Sequence, residues 1–187
     1  MKRTGPAVVI MVILLLFMTG CGTVRVSQDY RPGSDFASFK SFSWQQVEVP
    51  HSEDARETNP LLHERFHAAI DRELVSRGIV PGQPGDLLVS YGYTIQTRFE
   101  QVPLDTHVGF GYGRYSRYGV VGFDSGTSFE QYDVGTLVID LTESGTGRLL
   151  WRGTGVERLP DYPTPEKNIA LVNKLVGAIL GQFPPTP

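Results

Sequence analysis

Cysteine is almost missing from this 187-residue sequence, in which Cys21 is the sole thiol. One cysteine cannot close an internal disulfide or assemble a cysteine metal cluster, so packing must hold the fold together. A surplus of cations is also lacking: Lys and Arg number 17 against 20 Asp and Glu, a formal charge of −3. Without a basic excess the chain carries no electrostatic footprint for a polyanion, and nucleic acid is not an expected partner. No apolar stretch approaches the roughly 20 residues that a membrane-crossing helix needs. The G-x-S-x-G elbow of serine hydrolases is absent. His51 and His107 both fall in expected loops, where no regular element places an acid against either ring. Gly109-Phe110-Gly111-Tyr112-Gly113 has glycines but neither a G-K-[ST] ending nor a helix behind it, which argues against a phosphate loop. Sequence repeats and coiled-coil heptads are absent as well.

What is present begins with Lys2 and Arg3, an apolar run from Ala7 to Phe17, and then Met18-Thr19-Gly20-Cys21. This order of cationic, apolar and small-residue segments is that of a secretory signal. Its last four residues resemble the bacterial lipobox, with Met18 where leucine is usual. The resemblance implies removal of residues 1–20 and acylation of Cys21, which would become the first residue of a membrane-tethered mature protein. Several acyl chains on one residue anchor firmly where a single chain would not. Gly22, in place of an aspartate after the lipidated cysteine, resembles the sorting pattern that implies the outer membrane. Residues 21–187 are long enough for one domain with its own core, and losing Lys2 and Arg3 makes its charge more negative still.

Periodicity sets out the rest. Val24 and Val26 alternate with polar residues up to Tyr30, predicting a strand, and Arg31-Pro32-Gly33-Ser34 a turn. Phe39, Phe42 and Trp44 place a second strand around 38–45, followed by a charged surface connection over 46–58. Asn59-Pro60 opens a helix that presents Leu62, Phe66, Ile70 and Leu74 on one face and runs to about Arg77, with Gly78 as its stop. Leu87, Val89, Tyr91, Tyr93 and Ile95 alternate with Leu88, Ser90, Gly92, Thr94 and Gln96 in the clearest strand. Thr136 to Leu141 and Arg148 to about Val156 flank the turn Glu143 to Gly147 and predict a hairpin. A second helix starts at Thr164-Pro165-Glu166, carries Ile169, Val172, Val176, Ile179 and Leu180, and ends at Gly181. The expected fold is α+β and two-layered, an antiparallel sheet of about five strands with two helices packed on one face.

The segments Asp29-Tyr30, DFASFKSFSW (35–44), GDLLVSYGY (85–93), GTLVIDL (135–141), LLWRG (149–153) and ILGQFPP (179–185) together resemble a bacterial envelope lipoprotein family built on domain of unknown function 4136. That resemblance implies a small lipidated envelope domain and names no activity.

Three constellations remain. His63-Glu64-Arg65-Phe66-His67 satisfies H-E-x-x-H, in which two histidines one helical turn apart ligate zinc and the glutamate acts as general base. Glu73 stands where an extended motif would have a third histidine, and Glu64 projects away from the apolar face. The two histidines are therefore expected at the boundary of the core, with His63 and His67 the only metal candidates and no cofactor expected. Asp140 and Arg152 are expected to pair across the hairpin, and Trp44 and Trp151 to belong to the core or its edge. Finally, the excursion from His107 to Gly126 separates two strands by far more residues than a hairpin needs. In it Tyr112, Tyr115 and Tyr118 recur with Arg114 and Arg117 between them, a candidate partner-binding surface; a disordered loop or a plain extension of the flanking strands is the competing expectation. The sequence thus supports a non-enzymatic lipoprotein anchored in the outer membrane and facing the periplasm, which binds an envelope protein or a cell-wall glycan. A zinc hydrolase using His63, Glu64 and His67, or a carbohydrate-binding module, is the alternative.

Overall fold

A computed structural model describes residues 24–46, 52, 54–103 and 127–185. The elements are β1 (Arg25–Tyr30), a 3-10 turn (Phe36–Ser38), β2 (Ser41–Trp44), α1 (Pro60–Ser76), β3 (Val80–Pro81), β4 (Leu87–Pro103), β5 (Thr127–Glu143), β6 (Leu149–Arg158) and α2 (Pro165–Leu180). They form a six-stranded sheet in the order β1-β6-β5-β4-β2-β3 with both helices on one face.

The two helices begin where capping chemistry allows. The Asn59 side chain accepts from Leu61 N–H at 3.0 Å, the Thr164 hydroxyl accepts from Lys167 N–H at 3.3 Å, and a proline follows each cap. Gly78, at φ +81°, turns the chain out of α1.

The sheet departs from the expected five antiparallel strands in two respects. It has six strands, and it is mixed, because β2 runs parallel to both of its neighbours, β3 and β4. The cause is the position of α1. A helix inserted between two strands of one sheet carries the chain back to its starting end, so the next strand joins in parallel. The additional strand, β3, is a two-residue edge in the segment expected only to stop the helix. Val80 N–H donates to Lys40 O at 2.9 Å and Gly82 N–H to Phe42 O at 2.8 Å, while Pro81, which has no N–H to offer, fits an outermost strand.

Alternation sorts the sheet into two faces. Leu87, Val89 and Tyr93 on β4, and Leu137, Ile139 and Leu141 on β5, are buried under the helices together with Phe66, Ile70 and Leu74 of α1 and Leu175, Ile179 and Leu180 of α2. Trp151 and Phe42 are fully enclosed, while Trp44 sits at the core's edge. Two glycines on β6 let α2 approach. A Cβ at Gly153 would lie 2.3 Å from Trp151 Cη2 and 2.4 Å from Ile179 Cγ2, and one at Gly155 would lie 2.8 Å from Ile179. The other face of the sheet is open. There Asp140 and Arg152, opposite one another in register, join through two hydrogen bonds of 2.7 and 2.6 Å.

Both long strands exceed their expected bounds. β4 and β5 remain paired from Leu87↔Glu143 out to Pro103↔Thr127. On β4, pairing with β2 ends at Val89, and on β5, pairing with β6 ends at Val134. Beyond those points the hairpin is an arm that leaves the sheet at the end where both helices begin.

Candidate functional site

A cleft of about 390 Å³ lies at the base of this arm, under the first turns of both helices. Its apolar wall is Leu62 from α1, Tyr93 and Ile95 from β4, Leu171 from α2 and Leu159 after β6. Polar groups converge on it from four segments, including Arg56, Asn59, Gln131, Asp133, Asp161 and Asn168.

The cleft's charged corner is built from the turn that precedes α1. Arg56 donates to Asp133 Oδ2 at 2.7 Å and, through Nε and Nη2, to both carboxylate oxygens of Asp54. Thr97 adds a 2.8 Å hydroxyl donation to Asp133 Oδ1. Hydrogen bonds from the guanidinium hold the Asp54 and Asp133 carboxyls below the usual carboxylate range, and the two anions raise the pKa of Arg56. Next along the chain, a Glu57 carboxylate oxygen accepts from Ile95 N–H, a donor on the side of β4 that faces away from β5. Tyr93 is buried deeply enough that loss of water raises its phenol to about 12, and its hydroxyl lies over Gly135, where a Cβ would come within 2.5 Å of it. With Asp54, Asp133 and Asp161 against Arg56, the corner is net negative. Anionic ligands are disfavoured there, while amide and carboxylate groups around an apolar floor suit an uncharged ligand rich in hydroxyl or peptide groups.

His63, Glu64 and His67 lie outside this cleft, on a shallow surface shared with Asp71. His63 has both ring nitrogens engaged, Nε2 2.7 Å from Glu57 O and Nδ1 2.7 Å from Tyr91 Oη. A carbonyl can only accept, so Nε2 carries the proton and the Nδ1 lone pair receives the Tyr91 hydroxyl. That lone pair is the one a metal would need. The ring of His67 rests against Trp44 with centroids 3.9 Å apart and meets Tyr91 edge-on at 5.4 Å. Burial lowers its pKa, opposed in part by Asp71, which accepts from Trp44 Nε1–H at 3.1 Å. Glu64 is exposed. Among the described residues no three His, Cys, Asp or Glu side chains gather around a common metal position. The two histidines fasten α1 to β2 and β4.

Cys21, His51, His107 and the candidates Tyr112, Arg114, Tyr115, Arg117 and Tyr118 lie outside the described residues. The cleft itself was not visible in the sequence. Its main contributors are scattered: Arg56 and Asp161 sit in connections, and Asp133 in the part of β5 that lies outside the buried alternation. The nearest signal was Asp54-x-Arg56, a short local charge pair that register alone could connect to Asp133.

An α+β domain in which one sheet carries both helices on a single face, with a projecting hairpin, is the class that this geometry defines. The family described as Domain of unknown function (DUF4136) matches residues 26–185, and the chain belongs to it. No curated protein sequence matches the chain. Among solved structures, a PDZ domain protein from Parabacteroides distasonis shares the fold with a TM-score of 0.55 at 18% identity over 88% of this chain. This chain spans only 36% of that protein's length. A PelC dodecamer from Paraburkholderia phytofirmans aligns over 84% of this chain and 95% of its own, at 14% identity and a TM-score of 0.46.

Proposed function

We propose that the protein is a lipoprotein tethered through Cys21 to the outer membrane, whose periplasmic domain acts by binding rather than catalysis and holds an uncharged partner segment, such as a cell-wall glycan strand, in the cleft at the base of the arm. The observation that carries this reading is the cleft itself. Its volume of about 390 Å³ lies within the roughly 300–1,000 Å³ of ligand sites, and convergent polar groups around an apolar floor are the usual make-up of such sites. Tether and address rest on Met18-Thr19-Gly20-Cys21-Gly22. An envelope protein presenting an extended peptide is the second occupant that these polar groups could serve.

The test is crosslinking in intact cells from a photoreactive residue placed at Gln131, on the cleft wall. Glycan fragments crosslinked to the native cleft and lost when Asn168→Trp fills it would support the reading. A crosslinked protein in their place would select the second occupant. Crosslinks indifferent to the filled cleft would sink the proposal.

A further inference from the structure

Four exposed apolar residues share the end of the molecule from which the chain leads back to Cys21. Arg25, the first residue of β1, pairs with Val156, which is level with Thr136 and Thr94 at the root of the arm. The buried Val24 fixes the chain one residue earlier, at that same end. From Val24 to Cys21 is three residues, a span of at most about 11 Å. The arm continues from Ile95 to Pro103, about 26 Å at the rise of a strand. It therefore outreaches the tether more than twofold.

The surface at this end suits such closeness. The four most exposed large apolar side chains among the described residues are Tyr162 at 81%, Phe99 at 68%, Phe129 at 67% and Leu61 at 58%. Every one of them is here. Leu61 is in the first turn of α1, Tyr162 sits between the cleft residues Asp161 and Pro163, and Phe99 and Phe129 are on the arm. Register places Phe99 and Phe129 diagonally on one face with Gln101 and Gln131, while Arg98, Glu100 and Glu130 take the other. Beyond the Thr97–Asp133 pair, the side of the ribbon that carries Phe99 and Phe129 is thus uncharged, and the other carries Arg98, Glu100 and Glu130 beside Tyr132. Exposed apolar residues gathered in this way need a cover, and aromatic side chains favour the headgroup level of a bilayer.

We infer that the end of the domain bearing Leu61, Phe99, Phe129 and Tyr162 docks on the bilayer that holds the acyl chains of Cys21. The inference rests on the tether proposed above and adds an orientation to it. The sheet stands with its arm toward the lipid, and the cleft opens next to the membrane surface. Contact at the arm supplements the acyl chains and removes the rotational freedom that a lone tether would leave.

The experiment uses the full acylated protein in phosphatidylcholine vesicles that contain a nitroxide-labelled lipid. Acylation of Cys21 blocks the natural thiol, so Phe99→Cys, Tyr162→Cys and, at the opposite end of the sheet, Leu149→Cys can each carry one environment-sensitive fluorophore. We expect several-fold stronger quenching at positions 99 and 162 than at 149, with blue-shifted emission at the first two. Equal quenching at all three positions, with Cys21 shown by mass to be acylated, would overturn the docking and leave the tether standing. An unmodified Cys21 would overturn both.

Discussion

The close contact between α2 and β6 predicts that one added methyl group will have opposite effects at two strand glycines. At Gly92, on the open face of β4, a Cβ has no heavy atom within 4 Å. Replacing glycine by alanine there reduces the freedom of the unfolded chain and should stabilise by about 0.5–1 kcal/mol. At Gly153 the same Cβ would sit 2.3 Å from the Trp151 ring and 2.4 Å from Ile179 Cγ2, and both of these side chains are fully buried. Neither is the free end of a flexible chain, so the helix must shift outward or Trp151 must leave its position. Overpacking of this kind costs about 1–3 kcal/mol. The two variants should therefore separate by about 1.5–4 kcal/mol, roughly 0.8–2 M in urea midpoint for a domain with an m-value near 2 kcal/mol/M. Urea unfolding followed by tryptophan fluorescence and by circular dichroism reads this directly. Ile179→Ala removes the methyl group that the new Cβ would strike, so the double variant should be more stable than the sum of the single losses predicts, by about 1 kcal/mol. Equal midpoints for Gly153→Ala and Gly92→Ala, or full additivity with Ile179→Ala, would refute the close approach.

Three further outcomes follow from the site and the anchor. Burial disfavours charging of the His67 ring, so the unfolded chain takes up the proton first; the stability this provides is full above about pH 6.5 and falls as the pH drops below that value. His67→Phe, which keeps an aromatic ring against Trp44, should flatten urea midpoints measured between pH 7 and 5. Arg56→Gln frees Asp54 and Asp133, but the guanidinium is 49% exposed, so thermal unfolding should register less than about 1 kcal/mol while crosslinking from the cleft drops. Cys21→Ala should abolish acyl labelling and move the protein from the membrane to the soluble fraction; a variant that stays membrane-bound through its signal segment would count against a lipobox.

The elements that the sequence announced most clearly are those where local chemistry and tertiary packing agree. Asn59-Pro60 and Thr164-Pro165 cap helices because capping is decided within a few residues. Leu87 to Ile95 alternate because one face of β4 is buried and the other is not. Strand direction departs from the antiparallel expectation because the helix between the second and third strands makes a crossover, whereas that expectation rests on the hairpin further along. β3 escaped notice because two residues cannot show a period. The arm was only half seen, since beyond Gln96 it is no longer buried on one face and the alternation that marks a strand disappears. The cleft had no local signal at all; it exists because register brings Asp133 and Thr97 opposite each other and beside Arg56. The H-E-x-x-H pattern was legible as residues, but the pattern alone does not show that Tyr91, on another element, and the Glu57 carbonyl, in the turn before the helix, hold the His63 nitrogens.

The arm poses a stability problem whose solution bears on function. A two-stranded ribbon in water is marginal, and among the described residues no further strand pairs with β4 beyond Val89 or with β5 before Val134. At its base the ribbon is held at both edges: Glu57 accepts from the Ile95 N–H on β4, Leu159 N–H donates to Asp133 O at 2.8 Å on β5, and Arg56 and Thr97 both reach the Asp133 carboxylate. These contacts end at Thr97. Farther out, Arg158 lies over Tyr132 at 4.6 Å and pairs with Glu130, which secures the charged face. Among the described residues the face with Phe99 and Phe129 has no comparable support, although both rings are exposed. A ribbon stabilised on its charged side and bare on its aromatic side is consistent with a surface completed from outside the domain. Cys21, three residues before Val24, would keep a bilayer within reach of it, and the cleft would then take its partner where the membrane and the periplasm meet.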